Sequence, residues 1–390
     1  MSDGQHAFLP PSAAHRWRRC PGSPKMEAAH PDLGDKQEAE EGNACHWIMA
    51  QMLTLTAPTV VAGAVSPNGI TVTQQMIDGA RIFADDVIGT LGPSWPAVAK
   101  VERRVKIPRV HPTHNWGTPD CKAWFNEHRL HIWDFKWGFG VVEVFENDQL
   151  IDYAAGCLTE QNERRAAAGL QAISESDIEI VMRIIQPRAF HPDGVVREWR
   201  VKATDLRDHI FALSMAADEA CGDNPQCKPV ASACENCSAR HACEALQRAS
   251  YQGMDIARRA HSIEMTPLAM GLELRLLREA RGLIEARESG LEQQVESLIR
   301  SGQRVPHWTM RPGQSREKWL EGKDVEIIAV GQMYGVDVAK PPEAVTPAQA
   351  KAKGMPADIV AAYSMRPHGV MKLAVDDGSD ARMVFGRSTT

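Results

Sequence analysis

Two carboxylates and a lysine are the residues of this chain best suited to chemistry. They are Asp120, in Thr118-Pro119-Asp120, and Asp134 and Lys136, in Trp133-Asp134-Phe135-Lys136. Carboxylates are the ligands that a hard cation such as magnesium prefers. Such a cation can neutralise charge developing on a phosphodiester and generate hydroxide near neutral pH. A lysine beside it can orient the attacking water or stabilise the charged transition state. The pattern points to a metal-dependent nuclease site. Asp-x-Lys alone is a common triplet, so the surrounding residues carry much of the weight.

The local structure must deliver these groups to one place. Residues 129–136 alternate as a strand, with Leu130, Ile132, Asp134 and Lys136 on one face. His131, Trp133 and Phe135 fall on the other. Asp134 and Lys136 therefore point the same way, one pleat apart. Asp120 sits on the preceding strand, across a tight connection at Asn126-Glu127-His128. A hairpin of this kind converges all three groups on one cation.

Upstream, Glu41-Gly42-Asn43-Ala44-Cys45-His46 falls in a helical pattern over 38–55. His46 is a candidate ligand. Glu41 is either its partner or a first-turn acid matching the helix dipole. Downstream, Gln149 and Tyr153 lie four apart and share a helix face. The cysteines form a second constellation. Nine of them, without a secretion signal, suggest a reducing compartment and metal use rather than disulfides. Cys234-x-x-Cys237 followed by Cys243 is a tight three-thiolate set. Zinc held locally by Cys227, Cys234, Cys237 and Cys243 is one use, and His241 could replace one of them. Cys45, Cys121 and Cys157 read as small buried residues, and Cys221 has no assigned role.

The order His46, Asp120, Asp134, Lys136, Gln149, Tyr153 resembles the PD-(D/E)xK nuclease superfamily, in its RecB-like branch. That branch includes AddB nuclease domains and CRISPR-associated exonucleases carrying an iron–sulfur cluster. The resemblance spans roughly residues 8 to 250, and the complete pattern is far more specific than its parts. It implies a restriction-endonuclease-like α/β core, a mixed central sheet flanked by helices. It implies that His46, Asp120 and Asp134 hold magnesium or manganese and that Lys136 supports water attack on phosphorus. Gln149 and Tyr153 would touch DNA or fix the lysine. It further implies a 4Fe-4S cluster on Cys20 (in Arg19-Cys20-Pro21-Gly22), Cys234, Cys237 and Cys243, clasping the two ends of the core. The full-length layout, with an arginine-rich segment near 311 and Thr346-Pro347-Ala348-Gln349, is also similar to a phage and prophage family described as a domain of unknown function.

Composition bounds these expectations. The 390 residues suffice for a nuclease core over 1–254 and a mainly helical C-terminal extension over 255–390. A hydrophobic content of 43% with ten tryptophans supports a sizeable core. No apolar run is long enough to span a membrane, and the N-terminus lacks a secretion signal, so the expected place is the cytoplasm of a bacterial host. The net charge of −6 gives DNA binding no bulk support. Any track must be local, and Arg16-Trp17-Arg18-Arg19 and Arg103-Arg104-Val105-Lys106 are candidates. Trp308, Arg311, Arg316, Lys318 and Trp319 interleave aromatic and basic groups, a pattern that stacks bases and binds phosphates.

Helices are predicted over 74–91, 204–221 and 268–298, and Ser12 is placed to cap a short helix ended by Pro21. Strands are predicted over 101–107 and 178–185, with 141–145 extending the sheet and Gln186-Pro187-Arg188 approaching DNA. No Walker phosphate loop is present, so unwinding would need a partner. The expected function is a DNA exonuclease in phage recombination or replication, acting with a single-strand-binding or recombination protein. A nicking or restriction-like endonuclease and a non-catalytic zinc-containing DNA-binding protein are the alternatives.

Overall fold

The strand that carries Asp134 is the middle of a five-stranded sheet. The computed structural model describes residues 7–32, 37–54, 59–257, 265–310 and 382–383. The sheet order is β1-β4-β5-β6-β7. These strands are β1 (Ala99–Val101), β4 (Cys121–Phe125), β5 (Arg129–Phe135), β6 (Glu179–Ile185) and β7 (Val196–Lys202). A separate pair joins β2 (Val105–Lys106) to β3 (Trp116–Gly117). β5 and β6 run parallel, and the other neighbours in the large sheet are antiparallel. A parallel pair needs a crossover, which the helix α6 (Asp148–Ala167) provides.

The helices ahead of the sheet are α1 (Ala14–Trp17), α2 (Ser23–Ala29), α3 (Gln37–Met52), α4 (Gln74–Leu91) and α5 (Trp95–Val98). After β7 come α7 (Arg207–Cys221), α8 (Ala231–Cys234), α9 (Glu244–Ala257) and α10 (Pro267–Arg300). The expected α/β class, with a mixed central sheet flanked by helices and a helical C-terminal region, is observed. Contacts divide the chain into two compact units, Met1–Gln303 with Gly378–Thr390, and Arg304–Asp377. All the elements above belong to the first.

Period-two alternation decides which helices cover which face. Leu130 and Ile132 of β5 join Ile180, Met182 and Ile184 of β6 in a core with α6 and α7. Trp133 and Phe135 point the other way and pack with α3 and α4. Each side chain so buried contributes about 1.5–3 kcal/mol. Side-chain caps fix where the long helices begin. The Thr73 hydroxyl accepts from Met76 N at 3.3 Å, and Thr266 accepts from Ala269 N at 3.3 Å. Asn147 Oδ1 accepts from Gln149 N at 3.1 Å and Leu150 N at 3.2 Å, setting the start of α6.

Three local expectations are corrected, and one strand is added. Residues 101–107 are not one strand: Glu102 takes φ 47, and the chain leaves β4 to pair with β3 instead. Residues 141–145 do not extend the sheet. The buried Gln186 side chain donates to Gly138 O at 2.9 Å and Gly140 O at 2.6 Å and accepts from Val142 N at 3.1 Å. One side chain thus satisfies backbone groups that a ladder would otherwise use. Ser12 lies inside a 3-10 turn, Pro11–Ala13, and makes no cap. The edge strand β7 was not anticipated, because a charged residue, Arg197, stands at a buried position beside the exposed Glu198, Arg200 and Lys202 and masks the alternation.

The tightest approach between α6 and its neighbours is at Gly156. A Cβ there would meet Val105 Cγ1, and would lie 2.8 Å from Lys106 O and 2.9 Å from Ile107 Cγ1. Gly156→Ala should therefore lower stability by about 1–3 kcal/mol despite alanine's better helix propensity. Urea unfolding checks this, and an unchanged or higher midpoint would show that the α6–β2 contact yields freely.

Candidate metal centre and thiol cluster

Asp134 is 2% exposed near the C-terminal end of β5. A carboxylate buried so deeply needs partners. Lys136, one pleat on, places Nζ 2.9 Å from Asp134 Oδ2 and 3.1 Å from Oδ1. Gln149, in the first turn of α6, donates Nε2 to Asp134 Oδ1 at 2.8 Å and accepts from Lys136 Nζ at 2.9 Å. The three side chains close a triangle. Asp134 Oδ2 makes no hydrogen bond of good geometry, although the ammonium is within ion-pair distance. Burial pushes the Asp134 carboxyl up, Lys136 pulls it back and Asp120 pushes it up again, leaving it above its ordinary range. Burial would lower Lys136, but the Asp134 and Asp120 carboxylates outweigh it and keep the ammonium charged.

Asp120 stands immediately before β4, opposite Asp134 across the hairpin. The Phe135 amide donates to its Oδ2 at 2.6 Å, which turns Oδ1 toward His46 Nδ1 at 3.1 Å. His46 comes from α3, and its ring packs edge-on against Phe135 at 5.7 Å. Glu102 completes the group, with Oε1 3.8 Å from His46 Nδ1. The ligand atoms of His46, Glu102 and Asp120 lie within 4.8 Å of one another. Burial opposes a charged His46, but Asp120 and then Glu102 override it and raise the imidazole to about 9. Burial and the Asp120 carboxylate raise Glu102 to about 7. Since the Glu102 side chain keeps 39% exposure, the neighbouring carboxylate is the firmer cause. Crowded oxygens with one imidazole suit magnesium or manganese, whose charge would relieve the repulsion.

The sequence pattern brings His46, Asp120, Asp134, Lys136 and Gln149 together, but it misses Glu102. Its only sequence signal is an acid next to Arg103-Arg104, unremarkable within a supposed continuous strand. The positive φ that turns Glu102 beside Asp120, with Glu102 N donating to Asp120 O at 3.1 Å, is not legible in residue types. Tyr153 is buried and donates its hydroxyl to Thr118 O at 3.1 Å, holding the segment that leads into Asp120. Glu41 does not partner His46. It accepts from Trp137 Nε1 at 3.1 Å and Arg188 Nη1 at 3.2 Å. The Arg188 guanidinium also lies 3.8 Å from the centre of the exposed Phe139 ring.

Of the basic runs, Arg16 bonds Glu27, and both Arg18 and Arg19 bond Asp148, so carboxylates occupy that segment. Arg103, Arg104 and Lys106 are exposed beside Glu102, with Arg104 stacked 4.0 Å over Trp116. Trp308 is exposed; the other members of its interleaved run, and 346–349, lie outside the described residues. Among the described residues no helix is long and apolar enough to cross a membrane.

Five thiols meet away from this centre. Cys20, Cys227, Cys234, Cys237 and Cys243 line one small, largely apolar pocket. Gly22 N donates to Gln226 O at 2.9 Å, so the N-terminal segment is stitched beside Cys227. Cys227 bonds the sulfurs of both Cys20 and Cys243, and this holds Cys20 down to about 7 and Cys243 to about 6. Burial raises Cys234 to about 12 and Cys237 to about 11. His241 is not in the pocket lining and instead faces Ser238 O at 3.1 Å. Cys45, Cys121 and Cys157 are fully buried, as expected.

The chain belongs to the family described as "Protein of unknown function (DUF2800)", whose model matches residues 6–382. This agrees with the expectation of a family of that description.

One buried acid beside the centre sets a pH dependence. Asp152, within α6, is fully buried, and both its oxygens accept from Asn115 Nδ2, at 3.1 and 3.0 Å. Burial outweighs these bonds and raises its carboxyl to about 8. Asn115 Oδ1 has no donor, which a carboxyl proton could supply. A raised acid stabilises the fold fully below its unfolded value of about 4 and loses that contribution as pH rises through about 8. Stability of the wild type should therefore fall across that window, and Asp152→Asn should flatten the fall. Urea midpoints measured across the window check this; parallel pH profiles would contradict it.

Proposed function

We propose that the chain is a divalent-metal-dependent DNA nuclease of the PD-(D/E)xK type, RecB-like branch, acting as an exonuclease in phage DNA recombination or replication. The observation that supports this best is the buried Asp134–Lys136–Gln149 triangle set against the His46–Glu102–Asp120 group. His46, Glu102, Asp120 and Asp134 would hold the ion. Magnesium or manganese bound there would supply Lewis acidity and a water of lowered pKa. Lys136, paired with Asp134, would supply positive charge to the phosphate oxygens and support the attacking water. Gln149 fixes the lysine's direction, and Tyr153 fixes the backbone ahead of Asp120. Arg103, Arg104 and Lys106 supply local positive charge for a DNA backbone.

The thiol pocket supports a structural metal centre. In this proposal Cys20, Cys234, Cys237 and Cys243 hold a 4Fe-4S cluster, with Cys227 as a fifth thiol beside it. Zinc is the alternative occupant, and Cys20 shares the pocket in either case.

Asp134→Ala and Lys136→Ala should each reduce cleavage at least ~100-fold while the circular dichroism spectrum is kept. The assay uses end-labelled linear and covalently closed circular DNA with magnesium or manganese. Digestion of linear DNA alone marks an exonuclease, and nicked circles mark an endonuclease at the same site. Wild-type rates in a folded Lys136→Ala protein would overturn the assignment. For the thiols, anaerobically purified protein should be brown and contain iron and sulfide in near-equal amounts. Cys20→Ala should lose both. Stoichiometric zinc without iron in the wild type would replace the cluster by zinc.

A further inference from the structure

A second group of metal-ligating side chains lies outside both sites above. His111 and His114 lie in the turn between β2 and β3, and Cys221 is the last residue of α7. Their ligand atoms all lie within 4.8 Å of one another. The histidines are three residues apart, in His111-Pro112-Thr113-His114. Asp218 stands three residues before Cys221, in Asp218-Glu219-Ala220-Cys221. Residues spaced this way share one face of a helix. Segments about a hundred residues apart in the chain are thus brought together at His111, His114 and Cys221.

We infer that His111, His114 and Cys221, with Asp218 available as a fourth donor, form a site for a borderline-soft divalent ion of the zinc class. Two imidazoles, a thiolate and a carboxylate are the donors that zinc takes in tetrahedral sites. Magnesium and calcium prefer all-oxygen surroundings, so this donor set selects against the ion suited to the Asp134 centre. Asp218 is close enough to act electrostatically on both His111 and Cys221. The Cys221 thiol binds as thiolate, and its proton passes to solvent.

The turn itself closes on His111. His111 Nδ1 accepts from Thr113 N at 3.3 Å and His114 N at 3.1 Å. An incoming ion must displace both. It does so either by taking Nδ1 itself or by taking Nε2 once the ring proton has moved to Nδ1. The His114 carbonyl accepts from Leu9 N at 3.0 Å, and its ring meets Phe8 edge-on at 5.8 Å. An ion here would tie α7 to the turn that precedes β3, and through Leu9 to the N-terminal segment. Its role is structural and does not depend on the nuclease proposal.

Cobalt and zinc, each added alone to the anaerobically purified full chain, test this site. Cobalt should give a thiolate charge-transfer band and tetrahedral visible bands that reach an end point at one ion per chain beyond any metal in the thiol pocket and at the His46–Glu102–Asp120 group, which has no thiolate and gives no such band. Zinc should abolish these bands and raise the wild-type melting temperature by a few degrees. Cys221→Ser should lose the charge-transfer band. The His111→Ala/His114→Ala double variant, at positions exposed or half-buried, should lose the bound ion and the melting shift while keeping its circular dichroism. In both variants, metal held by the thiol pocket should be unchanged. Equal cobalt stoichiometry and spectra in wild type and both variants would overturn the site. So would a wild type that takes up neither ion beyond the thiol pocket and the His46–Glu102–Asp120 group.

Discussion

The central constraint is the burial of Asp134 in a strand with almost no exposed surface. β5 is covered on both faces, so a carboxylate there cannot be solvated. Lys136 and Gln149 meet its charge, and each depends on something further away. Lys136 extends past the strand, where its backbone amide still bonds Ile185 O of β6 at 2.9 Å. Gln149 is delivered by a helix whose start is fixed by the Asn147 cap. The first turn of α6 also presents the positive end of its dipole toward the acidic cluster. Sheet register, helix start and ion pairing thus specify one another. An unpaired buried charge is far more costly than the pair is favourable, so such a set constrains geometry more than it adds stability.

The same helix start ties the acidic centre to the thiols. Asp148, beside Gln149, receives Arg18 and Arg19 from the N-terminal segment. The next residue, Cys20, enters the thiol pocket, and Arg16 reaches Asn236 O at 3.1 Å. One short segment therefore contacts both the first turn of α6 and the 227–243 region. A metal centre in the thiol pocket would restrain this segment, and with it the environment of Asp148. The connection is physical contact along a few residues, without a need for any larger rearrangement.

Much of this is legible in residue types. The hairpin follows from strict alternation about Asn126-Glu127-His128, and pairing of Phe125 with Arg129 places the turn there. The helices expected over 74–91 and 268–298 are observed as Gln74–Leu91 and Pro267–Arg300, the second from its amphipathic spacing. Gln149 and Tyr153 are legible as one helix face. What escapes is what depends on a single backbone angle or a substitute partner. Glu102 joins the acidic group only because φ turns positive there. Residues 141–145 look like a strand, but Gln186 accepts from Val142 N and Arg197 donates to Val142 O, from 44 and 55 residues away in sequence, a distance that local patterning does not see. Arg18 and Arg19 look like a DNA track until Asp148 is found beneath them.

That last correction bears on how a chain of net charge −6 could hold a polyanion. Clustered carboxylates repel DNA unless a cation intervenes, so the ion that suits the site would also remove its main electrostatic barrier. Basic residues already bonded to carboxylates contribute little net field. Arg103, Arg104 and Lys106 differ because they are solvent-facing and lie next to Glu102 in the chain. The turn at Glu102 aims a carboxylate toward His46 and starts the chain toward β2. It thereby sets acidic ligands and basic side chains side by side on one short segment. A weak overall field with a steep local gradient favours binding that is short-ranged and strongly salt-dependent. Attraction to DNA would then depend on the same backbone turn that completes the acidic group.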